Sequence, residues 1–201
     1  MANSDEEDEE ASSTLTAHHA PLGKHKLLWG KPGRRFPQTC LLGPDWICLL
    51  VAFLLIWGVS LGVFLGVPGA APLYINLGSW VSLLGTTFAL FGAAFSDPGI
   101  IPKRELRVGV RESQMPPSTD PSTNRTLCTK CLVYRPRGAF HCRDCDACIL
   151  ELDHHCPWTG HCIGQTNMLY FQVYLGLLFL HIIVVIAVAL TRSISLGHHG
   201  G

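Results

Sequence analysis

Residues 128 to 167 read CTKCLVYRPRGAFHCRDCDACILELDHHCPWTGHCIGQTN, and what flanks this run decides the fold. Upstream, no Asp, Glu, Lys or Arg occurs from Trp46 to Ser96; downstream, none occurs from Met168 to Leu190. Only 15 % of the 201 residues are charged, against about 25 % in typical soluble domains, and the deficit is concentrated in those two gaps. A single soluble domain is thereby excluded. A small membrane protein with segregated polar parts remains, and a formal net charge of zero gives no reason to expect nucleic acid as a partner.

A bilayer core about 30 Å thick needs roughly 20 apolar residues of helix. Three stretches meet that requirement, 46 to 67, 73 to 95 and 168 to 190. The first begins too deep in the chain to be a cleaved signal peptide. Residues 68 to 72, PGAAP, carry no charge, so the first two spans form a tight antiparallel hairpin. Lys24, Lys26, Lys31, Arg34 and Arg35 precede the first span, nine basic residues lie in 97 to 167, and only Arg192 follows the third span. By the positive-inside rule the N-terminus and residues 97 to 167 are cytosolic, and the odd number of spans makes residues 191 to 201 a short luminal tail.

Small residues suit close helix packing in lipid: Gly58, Gly62 and Gly66 recur every fourth residue, and Gly78, Ser82, Gly85, Ala89, Gly92 and Ser96 alternate intervals of four and three. His181 is the one strongly ionisable group inside a span, a candidate for function for which the sequence offers no partner. Residues 1 to 21, with SDEEDEE at 4 to 10, read as a disordered acidic tail. Residues 22 to 45 form a juxtamembrane segment whose Lys, Arg, Leu and Trp29 suit an anionic cytosolic leaflet. Cys40 within it is either a lipid attachment site or an inert buried thiol. The tail TRSISLGHHGG is too short to fold and shows no retention signal.

Seven of the nine Cys fall within 35 positions, Cys128 to Cys162, in a segment assigned to the reducing cytosol, where metal binding or catalysis is expected rather than disulfides. Cys-x2-Cys pairs are zinc knuckles, and two structural zinc sites consume eight ligands where ten or eleven stand ready. Adjacent side chains project in different directions, so His141 and Cys142 are not expected on one ion, nor His154 and His155. Two interleaved sites follow, with at least one Cys and one His left over. His154 and Cys156 have the composition of a base and a nucleophile, with Asp153 placed to orient the His.

The run Asp153-His154-His155-Cys156, with Arg135-Pro136, His141-Cys142, Pro157-Trp158, Cys162-Ile163-Gly164, Asn167, Phe171 and the earlier Asp97-Pro98-Gly99, resembles the DHHC family of protein S-acyltransferases, the membrane-embedded palmitoyltransferases. Gly43-Pro44-Asp45 is similar to the same region of plant and fungal members. The resemblance covers roughly residues 40 to 190. It implies that Cys128, Cys131, His141 and Cys148 hold one zinc while Cys142, Cys145, His155 and Cys162 hold the other. It also implies that Cys156 is the nucleophile, His154 its base and Asp153 the group orienting His154.

The donor would be a long-chain acyl-CoA such as palmitoyl-CoA, and the acceptors cysteines of membrane-associated proteins. The reaction would be ping-pong through a Cys156 thioester, because a neighbouring imidazole raises the thiolate population at neutral pH. The acyl chain would lie among the helices, gaining about 0.8 kcal/mol per buried methylene. Lys130, Arg135, Arg137 and Arg143 either meet CoA phosphates or form a solvated face. Trp158 either lines the acyl site or sits at the membrane interface.

The expectation is an all-α polytopic membrane protein of three transmembrane helices, with a small, mostly irregular two-zinc cytosolic domain over residues 97 to 167, in the endoplasmic reticulum or Golgi. Two features depart from the family pattern: His161 stands where members usually carry Asn, and a fourth helix followed by a Thr-Thr-x-Glu motif is missing from these 201 residues. With three spans one side of an acyl cavity would face lipid or a partner subunit. The alternative function is therefore a catalytically weak or inactive short form serving as a zinc-containing membrane scaffold or regulator. A RING-type ubiquitin ligase also interleaves two zinc sites, but its ligand spacing differs and it has no use for Cys156.

Overall fold

A computed structural model describes residues 22–67, 71–103 and 117–199, the side chains of 197–199 excepted. The acidic tail, most of the hairpin turn and residues 104–116 lie outside the described residues. Three helices, α1 (Trp46–Gly66), α2 (Leu73–Phe95) and α3 (Met168–His199), are long and apolar enough to cross a membrane. Proline sets three of their ends. Val67 and Asp97 each precede a proline, which disfavours helical backbone, and Pro72 caps the start of α2 with its fixed φ. Helix α3 does not stop at Leu190. No proline interrupts it, Thr191 and Ser193 donate back to the carbonyls of Ala187 and Ala189, and helix occupies most of the stretch read as an unfolded tail.

Two apolar clusters join the helices, one around Leu49, Ala89, Leu90, Ala94 and Tyr174, the other around Phe64, Leu83 and Val188. The small-residue face of α2 is used for this packing. A Cβ on Gly92 would stand 2.3 Å from the Tyr170 ring, so only glycine admits that close approach. The glycines of α1 behave differently, with nothing within 4 Å of the Cβ position of Gly58, Gly62 or Gly66. Their stripe makes no contact among the described residues.

His181 has partners the sequence did not reveal. Its Nε2 lies 2.8 Å from Ser60 Oγ of α1 and its Nδ1 2.9 Å from Ser82 Oγ of α2, so one buried imidazole ties all three helices together. At the opposite end from the cysteine run, the Arg192 guanidinium donates to the carbonyls of Phe64 (2.5 Å) and Val67 (3.1 Å) and to Asn76 Oδ1 (3.1 Å). A cation on the free carbonyls of the last turn of α1 complements its negative dipole end.

The expectation of an all-α chain with an irregular module is corrected by short antiparallel strands outside the helices. Strands β1 (Lys26–Trp29) and β2 (Cys40–Leu42) form a hairpin. β3 (Ile100–Ile101), β7 (Ala147–Ile149) and β6 (Phe140–Cys142) form a three-stranded sheet in that order. β4 (Leu127–Cys128) pairs with β5 (Val133–Tyr134), and β8 (His154–Cys156) with β9 (His161–Ile163). For β4–β5 and β6–β7 the physical reason is that a Cys-x2-Cys turn doubles the chain back on itself, and the two arms satisfy their backbone groups by pairing.

The module is fastened to the helix ends by buried polar groups. Asp97, fully buried just after α2, accepts from the N–H of Gly99 and Ile100 (2.8 Å each) and of Gly33 (2.6 Å). Asn167, immediately before α3, donates to the carbonyls of Ala93 (3.1 Å) and Cys162 (3.0 Å) and accepts from Gly164 N–H (2.9 Å). Before α1, Asp45 N–H donates to the Gly160 carbonyl at 3.0 Å. There a Cβ on Gly43 would fall 2.1 Å from the same carbonyl oxygen.

Candidate active site and metal centres

The two ligand sets implied by the resemblance are brought together as two separate quartets. Cys128, Cys131, His141 and Cys148 form one and Cys142, Cys145, His155 and Cys162 the other, the ligand atoms of each lying within 4.8 Å of one another. In the first, His141 Nδ1 stands 3.7, 3.3 and 3.9 Å from the sulfurs of Cys128, Cys131 and Cys148. In the second, His155 Nδ1 stands 3.6, 3.4 and 3.6 Å from those of Cys142, Cys145 and Cys162. A zinc tetrahedron with Zn–S near 2.3 Å and Zn–N near 2.1 Å has S···N edges of roughly 3.6 Å. Both quartets therefore fit zinc.

Local structure explains how the quartets form. The Cys128-x2-Cys131 and Cys142-x2-Cys145 turns are each followed by a residue in the left-handed region, Leu132 (φ 55) after Cys131 and Asp146 (φ 49) after Cys145, which reverses the chain so that both sulfurs face inward. In the second turn Cys145 N–H points at Cys142 Sγ over 3.4 Å. Cross-strand register supplies the rest. His141 sits directly opposite Cys148 in the β6–β7 ladder, and His155 directly opposite Cys162 in the β8–β9 ladder, and directly opposed residues share one face. The Cys162 sulfur draws the Cys145 thiol down to about 3, and that same contact, with burial, pushes Cys162 up. Thiols packed this closely divide into donors and acceptors unless a cation takes their charge.

The histidines differ in support. With Nδ1 turned to the sulfurs, His155 keeps its proton on Nε2 and donates it to Asp45 Oδ2 at 2.7 Å. This carboxylate–histidine arrangement raises the basicity of a metal ligand and fixes its tautomer. His141 Nε2 lies 3.7 Å from Asp146 Oδ1, too far for a hydrogen bond, and Asp146 is engaged instead by Lys103 at 2.5 Å. Asp45 is a functional candidate that the reading of the run missed, although Gly43-Pro44-Asp45 carried the signal.

The alternation of strand β8 separates the remaining residues. His155 faces the second quartet, so His154 and Cys156, one residue away on either side, project from the opposite face. Asp153 Oδ2 lies 2.6 Å from His154 Nδ1, which places the ring proton on Nδ1 and leaves Nε2 as a free base. The Phe171 ring meets the His154 ring edge-on at 5.2 Å between centroids. Cys156 is buried at 7 % exposure and opens the turn Pro157–Thr159, which lies against the start of α1. Trp158 on that turn is exposed.

His161 belongs to neither quartet. It is fully buried, with Nε2 3.2 Å from the Ala93 carbonyl and the His25 ring edge-on at 5.5 Å, and burial pushes it down to about 4. Cys40 is buried at 2 % exposure, and burial pushes its thiol up, as suits an inert thiol. Of the four basic residues considered for CoA, Arg135 and Arg137 line one cleft of about 530 Å³, joined by Arg125, which the sequence reading had not singled out. Lys130 and Arg143 do not line it.

Comparison with known proteins agrees with this geometry. Residues 121–199 match the family model described as DHHC palmitoyltransferase. The chain is similar to palmitoyltransferase ZDHHC9 of Pongo abelii, 36 % identical over 118 residues that make up 49 % of this chain and 32 % of the relative. It is 35 % identical to palmitoyltransferase ZDHHC5-B of Danio rerio over 58 % of this chain and 19 % of the relative, and 35 % identical to palmitoyltransferase ZDHHC5 of Mus musculus over 60 % and 17 %. The match thus spans a third or less of the length of these curated relatives. Two interleaved Cys/His quartets, a carboxylate-oriented histidine two residues from a cysteine, and the sequence match over 121–199 together mark residues 121–199 as similar to the DHHC palmitoyltransferase domain.

Proposed function

We propose that the chain is a protein-cysteine S-palmitoyltransferase, carrying a long-chain acyl group from acyl-CoA to cysteines of membrane-associated proteins through a thioester on Cys156. The observation that carries this reading is the Asp153–His154 contact at 2.6 Å on the face of β8 that also bears Cys156, turned away from the metal ligands. His154 Nε2 takes the Cys156 thiol proton, and the thiolate attacks the thioester carbonyl of acyl-CoA. The CoA sulfur leaves and is reprotonated by His154. A substrate thiol then loses its proton to His154 and attacks the Cys156 thioester, which releases the acylated protein and restores the thiol. Asp153 stabilises the imidazolium formed in each half.

Cys128, Cys131, His141 and Cys148 would hold one zinc and Cys142, Cys145, His155 and Cys162 the other. Zinc would supply structure by closing the turns that present β8. The Arg125, Arg135 and Arg137 cleft offers guanidinium groups for CoA phosphates. The fourteen-to-one division of basic residues supports a cytosolic module, and the proposed membrane is that of the endoplasmic reticulum or Golgi.

Cys156→Ser tests the assignment. Hydroxylamine-sensitive labelling by a palmitate analogue should vanish while about two zinc ions per chain remain. Loss of zinc in that variant would overturn the division of roles. Labelling that persists would overturn Cys156 as nucleophile and leave the scaffold reading.

A further inference from the structure

Residues 33–38 make a loop whose backbone is held at several points while its cations are not engaged by carboxylates. Gly33 N–H donates to Asp97 Oδ2 (2.6 Å), Phe36 N–H to Ser96 Oγ (2.8 Å) and Gln38 N–H to the Arg35 carbonyl (2.9 Å), and the Arg34 carbonyl accepts from Asp97 N–H (3.3 Å). The exposed guanidinium groups of Arg34 and Arg35 form no ion pair with any carboxylate among the described residues. Asp97, the carboxylate that reaches this loop, is already occupied by the N–H groups of Gly33, Gly99 and Ile100. Arg34, Arg35, Gln38 and Tyr170 line a cleft of about 410 Å³.

The depth of the cleft identifies its surroundings. The Phe36 ring packs against Phe88 and Phe95 of α2, with centroids 6.3 and 5.9 Å away, and Phe88 lies inside the span with 56 % of its surface exposed. Tyr170, in the first turn of α3, donates its hydroxyl to the Phe36 carbonyl at 3.0 Å. An aromatic anchored among spanning helices beside paired arginines is the arrangement of the headgroup level, where hydrocarbon gives way to phosphate. The neighbouring hairpin continues this face. Leu27, Leu28 and Trp29 are 40, 54 and 52 % exposed, Lys24, Lys26 and Lys31 flank them, and Trp29 Nε1 donates to the Pro37 carbonyl at 3.2 Å.

We propose that the loop 33–38 and Tyr170 form a binding site for the phosphate headgroup of an anionic phospholipid in the adjacent leaflet, with Arg34 and Arg35 as its ligands. Guanidinium binds phosphate through paired N–H donors, which a diffuse lysine patch does not reproduce. The inference rests on the three helices crossing a bilayer and not on the reaction assigned to Cys156.

The test uses the full chain in nanodiscs of phosphatidylcholine doped with phosphatidylinositol phosphate, with retained lipid counted by native mass spectrometry. Arg34→Gln with Arg35→Gln should lower retention of the anionic lipid on the order of tenfold to thirtyfold, while Lys24→Gln with Lys26→Gln lowers it only severalfold. Equal losses in the two double variants would overturn the site in favour of diffuse charge. In the unaltered chain, phosphatidylinositol phosphate should protect Arg34 and Arg35 from phenylglyoxal, and phosphatidylcholine alone should not. Protection by water-soluble inositol phosphate or by CoA as strong as that by the lipid would overturn the lipid as the occupant.

Discussion

Replacing Asp45 should weaken one metal quartet and spare the other. Asp45 is the N-cap residue of α1, yet its carboxylate makes no capping hydrogen bond and turns instead to His155 Nε2 at 2.7 Å. A substitution there removes support from His155 without unfastening the helix. Loss of an outer partner of a metal-bound histidine costs about tenfold to a hundredfold in metal affinity, or about 1.4 to 2.7 kcal/mol. Asn keeps an acceptor oxygen and loses only the charge, so Asp45→Asn should fall near tenfold and Asp45→Ala near a hundredfold. Asp146 serves as the internal control, because it lies 3.7 Å from His141 Nε2 and is held by Lys103. Asp146→Asn should change affinity by about fivefold or less. Zinc transfer from the intact 201-residue chain to a chromophoric chelator of graded strength would show two ions released together in the parent and one released early in the Asp45 variants. Simultaneous weakening of both ions, or no change in Asp45→Ala, would refute the argument.

Cys128→Ser or His155→Ala should each lower zinc content, with a cooperative loss of strand structure visible in hydrogen exchange, because metal binding and folding are coupled; helical dichroism should be largely unchanged. His154→Ala should slow acylation of Cys156 by about a hundredfold or more with zinc retained, and Asp153→Asn should do the same through the wrong ring tautomer, both read as single-turnover label incorporation. Orientation can be checked with glycosylation acceptor tags. One placed near Thr119 should stay unmodified and one after Gly201 should be modified, and the opposite pattern would reverse the topology.

The spans could be read from the sequence because charge is absent from whole stretches, and their proline-bounded ends fell within a residue or so of the observed α1 and α2. The quartets could be approached because metal ligands must repeat at turn spacing. The strands could not: pieces of two or three residues carry no periodicity, and they exist here because knuckle turns force arms together. Partners far apart in sequence were equally hidden. Asp45 meets His155 across 110 residues, and His181 reaches Ser60 across 121, so no local pattern marks either pair.

Asp45, Asp97 and Asn167 each secure the cysteine-rich module at the end of a different helix. Three anchor points define a plane, so these bonds resist both swivelling and lifting of the module from the bundle. In the proposed reaction Cys156 is then held at one height relative to the bilayer, like a fixed stylus. Acceptor proteins would be sorted first by how far their thiol stands from the lipid surface, and a cysteine one helical turn too distant would be passed over whatever residues surround it.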